Sequence, residues 1–285
     1  MRRAITSLAL AALLGAVMAG PSLAKDKPAA VYKAPRGPGG HPDLSGVWQV
    51  MNTANWNIEP HAASAALAMR PGPIVPVPAR EVLALGAIGA VPGGSGVVEG
   101  GEIPYTPEAR AKRDENRADV LKRDPEIKCY LPGVPRANYM DHPFQIYQSD
   151  TSMVFFYEFA EGFREIFFKD PGEAPVDSWM GQSVGKWEGD SLVVTVTGQV
   201  DGTWFDRAGN HHSSAMVVVE RYTPTSPNTM RYEATITDPE TFTRPWKMSM
   251  NLYRRVGEDA RLHQFKCVEF VEELIFGPYR KEPVK

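Results

Sequence analysis

The 285-residue chain has only two cysteines, Cys129 and Cys267, and neither lies in a CxxC spacing. That excludes a dense disulfide framework and gives no footing for a zinc ribbon or a dithiol redox motif. Histidines at HxH or HxxxH spacing are missing as well, so no local metal-ligand signature exists. Basic residues are not in excess, with 31 Lys and Arg against 34 Asp and Glu. Neither nucleic acid nor an anionic membrane surface is therefore an expected partner. Beyond the first two dozen residues no run is long and apolar enough to cross a bilayer, and no internal repeat is evident.

What is present begins with a leader. Arg2 and Arg3 form a positive start, Ile5 to Met18 an apolar core, and Ser22-Leu23-Ala24 a small-x-small cleavage site. Residues 1–24 read as a signal peptide cleaved near Ala24, which predicts a periplasmic or secreted protein. Its removal takes two arginines and no acids, so 29 basic residues face 34 acidic ones and the mature charge is −5. Residues 25–43, rich in Pro, Gly and Lys, read as a flexible tether. An oxidising compartment favours a Cys129–Cys267 bridge, the alternative being two buried thiols.

Residues 44–285 are expected to form a single domain with a helical insertion over 60–125. A short helix is predicted over 79–87, "AREVLALGA". A clearer one starts at Thr106, a good N-cap, with Pro107 in the first turn and Glu108 at the positive end, and Pro125 stops it. From Phe144 the hydrophobic period becomes two. Runs at 144–148, 152–159, 163–168, 191–198, 215–223, 229–237, 246–255 and 261–268 are rich in Val, Ile, Phe, Tyr and Thr. In "MRYEATIT", Met230, Tyr232, Ala234 and Ile236 share one face. Short connections imply antiparallel neighbours. The fold class is mainly β: an antiparallel, lipocalin-like (calycin-type) β-barrel with one or two peripheral helices, the alternative being a sandwich.

Ser183 lies in G-x-S-x-G spacing (Gly181 to Gly185), but a nucleophile elbow needs a strand–turn–helix context. Here "EGD" (Glu188–Asp190) turns one strand into another, so the match is read as accidental. The pair His211–His212 ends a turn and enters a strand. Extended residues point to opposite faces, so the two cannot hold one metal. One of them faces the barrel as an acid–base group, or the pair simply ends a hairpin. Three polar groups stand at strand ends: Arg136, Asn138, Tyr139, Asp141 and His142; Tyr157, Glu158 and Arg164; Asp238, Arg244 and Trp246. Separately each is a surface salt bridge. Brought together amid aromatics they form a pocket with a few polar fixers.

"IPYTPEARAK", "CYLPGVPR", "PFQIYQ", "YEFAEGFREI", "GQSVGKWEGDSLVV", "GTWFDRAGNHHS" and "VVERY…DP…PW" resemble a large, mostly uncharacterised family of secreted bacterial β-proteins. The matching motifs run from about Tyr105 to Cys267. Through that family the chain is similar to decarboxylases of phenylcoumaran-type lignin dimers. The resemblance implies a lyase that opens a dihydrofuran ring and releases CO2 with no metal or organic cofactor. His212 or Glu158 would be the base, Tyr139 or Tyr157 the donor to the leaving phenoxide, and Arg164 or Arg244 the carboxylate clamp. Asn138, Trp204 and Trp246 would complete the substrate site. The chain departs from the family pattern at His211, so only His212 and Ser213 carry over from "HHS". The alternative is a non-catalytic, lipocalin-like periplasmic carrier of small apolar or aromatic molecules, distinguished by an apolar lining with charges only at its rim.

Overall fold

The period-two runs become nine strands that close on themselves. In a computed structural model of the protein, which describes residues 32–64 and 91–269, these are β1 (Gly46–Val50), β2 (Phe144–Gln148), β3 (Ser152–Tyr157), β4 (Phe163–Phe167), β5 (Gln182–Glu188), β6 (Ser191–Thr197), β7 (Val217–Ser226), β8 (Thr229–Thr237) and β9 (Trp246–Arg254). Each strand pairs with the next and β9 pairs back to β1, so the sheet is a closed barrel and not a sandwich. The expected leader and the helix over 79–87 lie outside the described residues.

Eight of the nine junctions are antiparallel; the ninth, β4–β5, is parallel and only two pairs long, Ile166 with Ser183 and Phe167 with Val184. An odd number of strands cannot alternate direction all the way round a ring, so one parallel junction is obligatory. It falls where the connection, residues 168–181, is long enough for a crossover.

Alternation then sorts the side chains. Met230, Tyr232, Ala234 and Ile236 of β8 are all buried, as are Trp246, Met248, Met250 and Leu252 of β9. They meet Phe144, Ile146, Phe155, Val194 and Val218 in one core. The predicted helix divides into α1 (Pro107–Ala118) and α2 (Val120–Arg123), because Asp119 leaves helical geometry at φ −133°, ψ 44°. Thr106 caps α1 as expected, its hydroxyl accepting from Ala109 N at 3.2 Å. One of the 3₁₀ turns, Arg136–Tyr139, is buried at all four positions. Among the described residues no helix is long and apolar enough to cross a membrane.

The expected strand at 261–268 does not form. That segment gives its hydrogen bonds and rings to other partners: His263 N donates to Glu158 Oε2 at 2.8 Å, and Phe265 packs on His142 with centroids 4.2 Å apart. Cys267 within it stands at disulfide distance from Cys129, with Cα atoms 5.7 Å apart and a sequence separation of 138. Replacing both cysteines by serine should lower stability by about 2–5 kcal/mol in urea unfolding, since the unfolded chain regains a long loop. Two reactive thiols in the unfolded, unreduced protein would refute the bridge.

Candidate functional site: a polar cluster inside the barrel

A barrel interior built from alternating apolar residues is interrupted at one level. Inward positions of β3, β4, β5, β7 and β8 carry Tyr157, Arg164, Ser183, Glu220, Tyr222 and Tyr232, and the 3₁₀ turn sends in Asn138. Register brings them together. Tyr222 lies opposite Tyr232, and Glu220 lies opposite Ala234, whose methyl leaves the carboxylate room.

Glu220 is the hub. Its Oε1 accepts from Asn138 Nδ2 at 2.7 Å, Tyr232 OH at 2.8 Å and Tyr222 OH at 2.9 Å. Its Oε2 is ion-paired with Nη2 of Arg164, whose Nε donates to Ser183 Oγ at 2.7 Å. Tyr157 OH donates to Asn138 Oδ1 at 3.1 Å. The remaining arginine nitrogen, Nη1 of Arg164, is buried with no hydrogen-bond partner among the described residues. The cluster therefore has every acceptor of Glu220 engaged and one cationic donor unused.

Burial opposes the charge of Arg164, but Glu220 outweighs it and holds the guanidinium well above its ordinary pKa. Burial pushes the Tyr157 hydroxyl up to about 12. Tyr222 and Tyr232 are raised well above the ordinary value by burial and by the nearby Glu220 carboxylate. At neutral pH the three phenols are protonated donors, and one cation balances one anion.

Of the residues expected to form the site, Asn138, Tyr157 and Arg164 meet here. The others have different surroundings. Tyr139 donates to Phe205 O at 2.9 Å. Glu158 pairs with His142 Nδ1 at 3.2 Å beneath the C-terminal segment. Trp246 packs edge-on against Phe205 and Phe242, Trp204 joins Val120 and Ile127, and Arg244 is exposed and donates to Pro245 O. Arg136 forms no surface salt bridge; it is buried between Asp124 at 3.0 Å and Glu126 at 2.5 Å. Ser183 sits inside β5, without the helix an elbow requires. Glu220, Tyr222 and Tyr232 were not singled out from sequence. Their signal was Glu220 falling on the Val218 face of an otherwise apolar stripe.

Strand alternation predicted one buried histidine in the pair; the structure buries both, His211 at 4% and His212 at 2% exposure. The reason is that β7 begins only at Val217, so residues 206–212 are a turn folded back on α1. Asp206 organises that turn, accepting from Ala208 N and Ile58 N at 2.9 Å and from Asn210 Nδ2 at 2.7 Å. Gly209, at φ +86°, lies against α1 so closely that a Cβ would come within 2.7 Å of Arg113 O. His211 Nε2 donates to Ala109 O at 3.0 Å. His212 Nδ1 donates to Ser213 O at 2.8 Å, which leaves Nε2 to accept from Thr203 Oγ1 at 2.5 Å.

Burial lowers the His212 pKa from 6.5 to about 4. The folded chain thus takes up this proton near pH 4 and the unfolded chain near 6.5, so the stabilisation is complete above 6.5 and lost as pH falls towards 4. Asp206 acts in the opposite direction, since burial raises its carboxyl from 3.8 to about 6. The two effects overlap in pH, so the measurement compares variants. The stability advantage of wild type over His212→Gln should shrink by on the order of 3 kcal/mol between pH 7 and pH 4. Parallel pH curves in urea unfolding would contradict a neutral, buried imidazole.

No protein-family model, curated protein or solved structure matches the chain.

Proposed function

We propose that the protein is a cofactor-free lyase that decarboxylates an aromatic acid of phenylcoumaran type, acting from the barrel interior. The observation that carries this reading is the unpartnered Nη1 of Arg164, a buried cationic donor beside a hydroxyl donor, Tyr157, and a carboxylate, Glu220. A substrate carboxylate accepts from Nη1. A para-phenol takes the place of one tyrosine hydroxyl on Glu220 and passes its proton to the carboxylate. Electrons from the phenolate form a quinone methide as the benzylic C–O bond breaks, and the departing phenoxide takes the Tyr157 proton. The C–CO2 bond then breaks, its electron pair restores the aromatic phenolate, and the stilbene and CO2 leave. Return of the Glu220 proton to the phenolate and of a solvent proton to Tyr157 resets the site.

Charges at the centre of the barrel, and not only at its rim, favour this reading over a passive carrier. We assign the protein to the periplasm or the secreted fraction, which the cysteine pair at disulfide distance supports. The test is to incubate the mature protein with a panel of carboxylated lignin-derived dimers and follow CO2 release and stilbene absorbance. Turnover is expected without any added cofactor. Binding of these acids with no CO2 released would overturn the lyase reading and favour the carrier.

A further inference from the structure

A cavity of about 540 Å³ lies outside the barrel, between the segment after β1 and the helices. It is lined by Trp56, His61, Val91, Arg117, Ile127 and Arg207, among others, and none of these belongs to the Glu220 cluster. Its volume is that of a pocket for a small organic ligand. Ser64 and Val91, joined by two backbone hydrogen bonds of 3.0 and 3.1 Å, brace its rim. The Arg207 guanidinium stacks 4.6 Å from the Trp56 ring centroid and is tied to Glu126 by two bonds of 2.8 Å, so this aromatic wall is held in place.

Two features define the chemistry a ligand would need. His61 Nδ1 faces the carbonyl of Glu59 at 2.8 Å, and a carbonyl only accepts, so Nδ1 carries the hydrogen of the neutral ring. Nε2 is then a lone-pair acceptor, shielded from solvent and without a partner among the described residues. The charges of the lining are nearly all matched. Glu59 pairs with Arg113, Asp124 with Arg136, and Arg207 with Glu126. Arg117 is exposed and has no ion-pair partner among the described residues, so it is the lining cation left to meet an anion.

We propose that this cavity is a second, separate binding site for a small hydroxylated aromatic carboxylate, the hydroxyl donating to His61 Nε2, the ring lying beside Trp56 and the carboxylate meeting Arg117. It does not depend on the lyase reading, because no catalytic group lines it.

The probe is 3-(4-hydroxyphenyl)propionate, followed through the indole N–H signal of Trp56, assigned with Trp56→Phe. Titration should shift that signal. 3-Phenylpropionate, which lacks the hydroxyl, and 3-(4-hydroxyphenyl)propan-1-ol, which lacks the charge, should each bind about tenfold more weakly to the wild-type protein. Arg117→Ser, at an exposed position, should weaken the acid and leave the alcohol unchanged; His61→Phe should erase the difference between phenol and phenyl. An unshifted Trp56 signal, or equal affinity for all three compounds, would overturn the proposal. So would tight binding that persists in Arg117→Ser. Failure of the lyase assay would leave these outcomes untouched.

Discussion

Arg164→Met is expected to lower stability by about 3–5 kcal/mol in equilibrium urea unfolding, because it leaves the Glu220 carboxylate buried without its cation. Both groups are essentially sealed from solvent, with side chains 1% and 0% exposed, so water cannot take over the lost role. Glu220→Gln is expected to cost less, since an amide oxygen still accepts from Asn138, Tyr222 and Tyr232. The double variant Arg164→Met/Glu220→Gln should be more stable than the sum of the two losses, by a coupling of roughly 0.5–3 kcal/mol. Strict additivity would mean that the pair does not act as a unit. The cycle also separates structure from function: a double variant that regains stability but not turnover assigns the charges to the reaction.

Tyr157→Phe is expected to lower turnover by ~10²–10⁴-fold, the span for loss of a positioned proton donor. Its structural cost is small, about 0.5–1.5 kcal/mol for one hydrogen bond to Asn138, so the folded variant can be assayed directly. With its hydroxyl held up to about 12, Tyr157 does not lose its proton as pH passes 10. The wild-type rate should therefore show no break there from this group. Tyr139→Phe completes the comparison, because Tyr139 donates to Phe205 O and to no member of the Glu220 cluster. A rate lost in Tyr139→Phe and kept in Tyr157→Phe would move the chemistry out of the cluster.

The strands from Phe144 onward were legible because alternation is a local property: a residue and its neighbour two positions on declare the same face. Thr106 was legible for the same reason, since a cap and its first turn are adjacent in sequence. Half of the cluster was not. Asn138 stood in one strand-end group, Tyr157 and Arg164 in another, and Glu220, Tyr222 and Tyr232 in none; only the register of β7 against β8, with the pairings that close the ring, puts them together. The burial of His211 was hidden likewise, because it depends on Asp206 and Gly209 folding a turn back onto α1. At 261–268 the apolar residues were read as a strand, whereas Phe265 and Cys267 are spent on His142 and Cys129.

The parallel junction has a consequence for how the barrel breathes. β7 and β8 share nine aligned pairs and β4 and β5 share two, so local opening begins where the ring is stitched most thinly. In hydrogen exchange the β4–β5 amides should trade with solvent well before those between β7 and β8. Arg164 and Ser183 stand on the two sides of that seam, joined by a side-chain bond of 2.7 Å. When the seam parts, the Arg164 guanidinium and the Ser183 hydroxyl are the inward-facing groups that flank it, so the weakest line in the wall runs beside the Glu220 cluster.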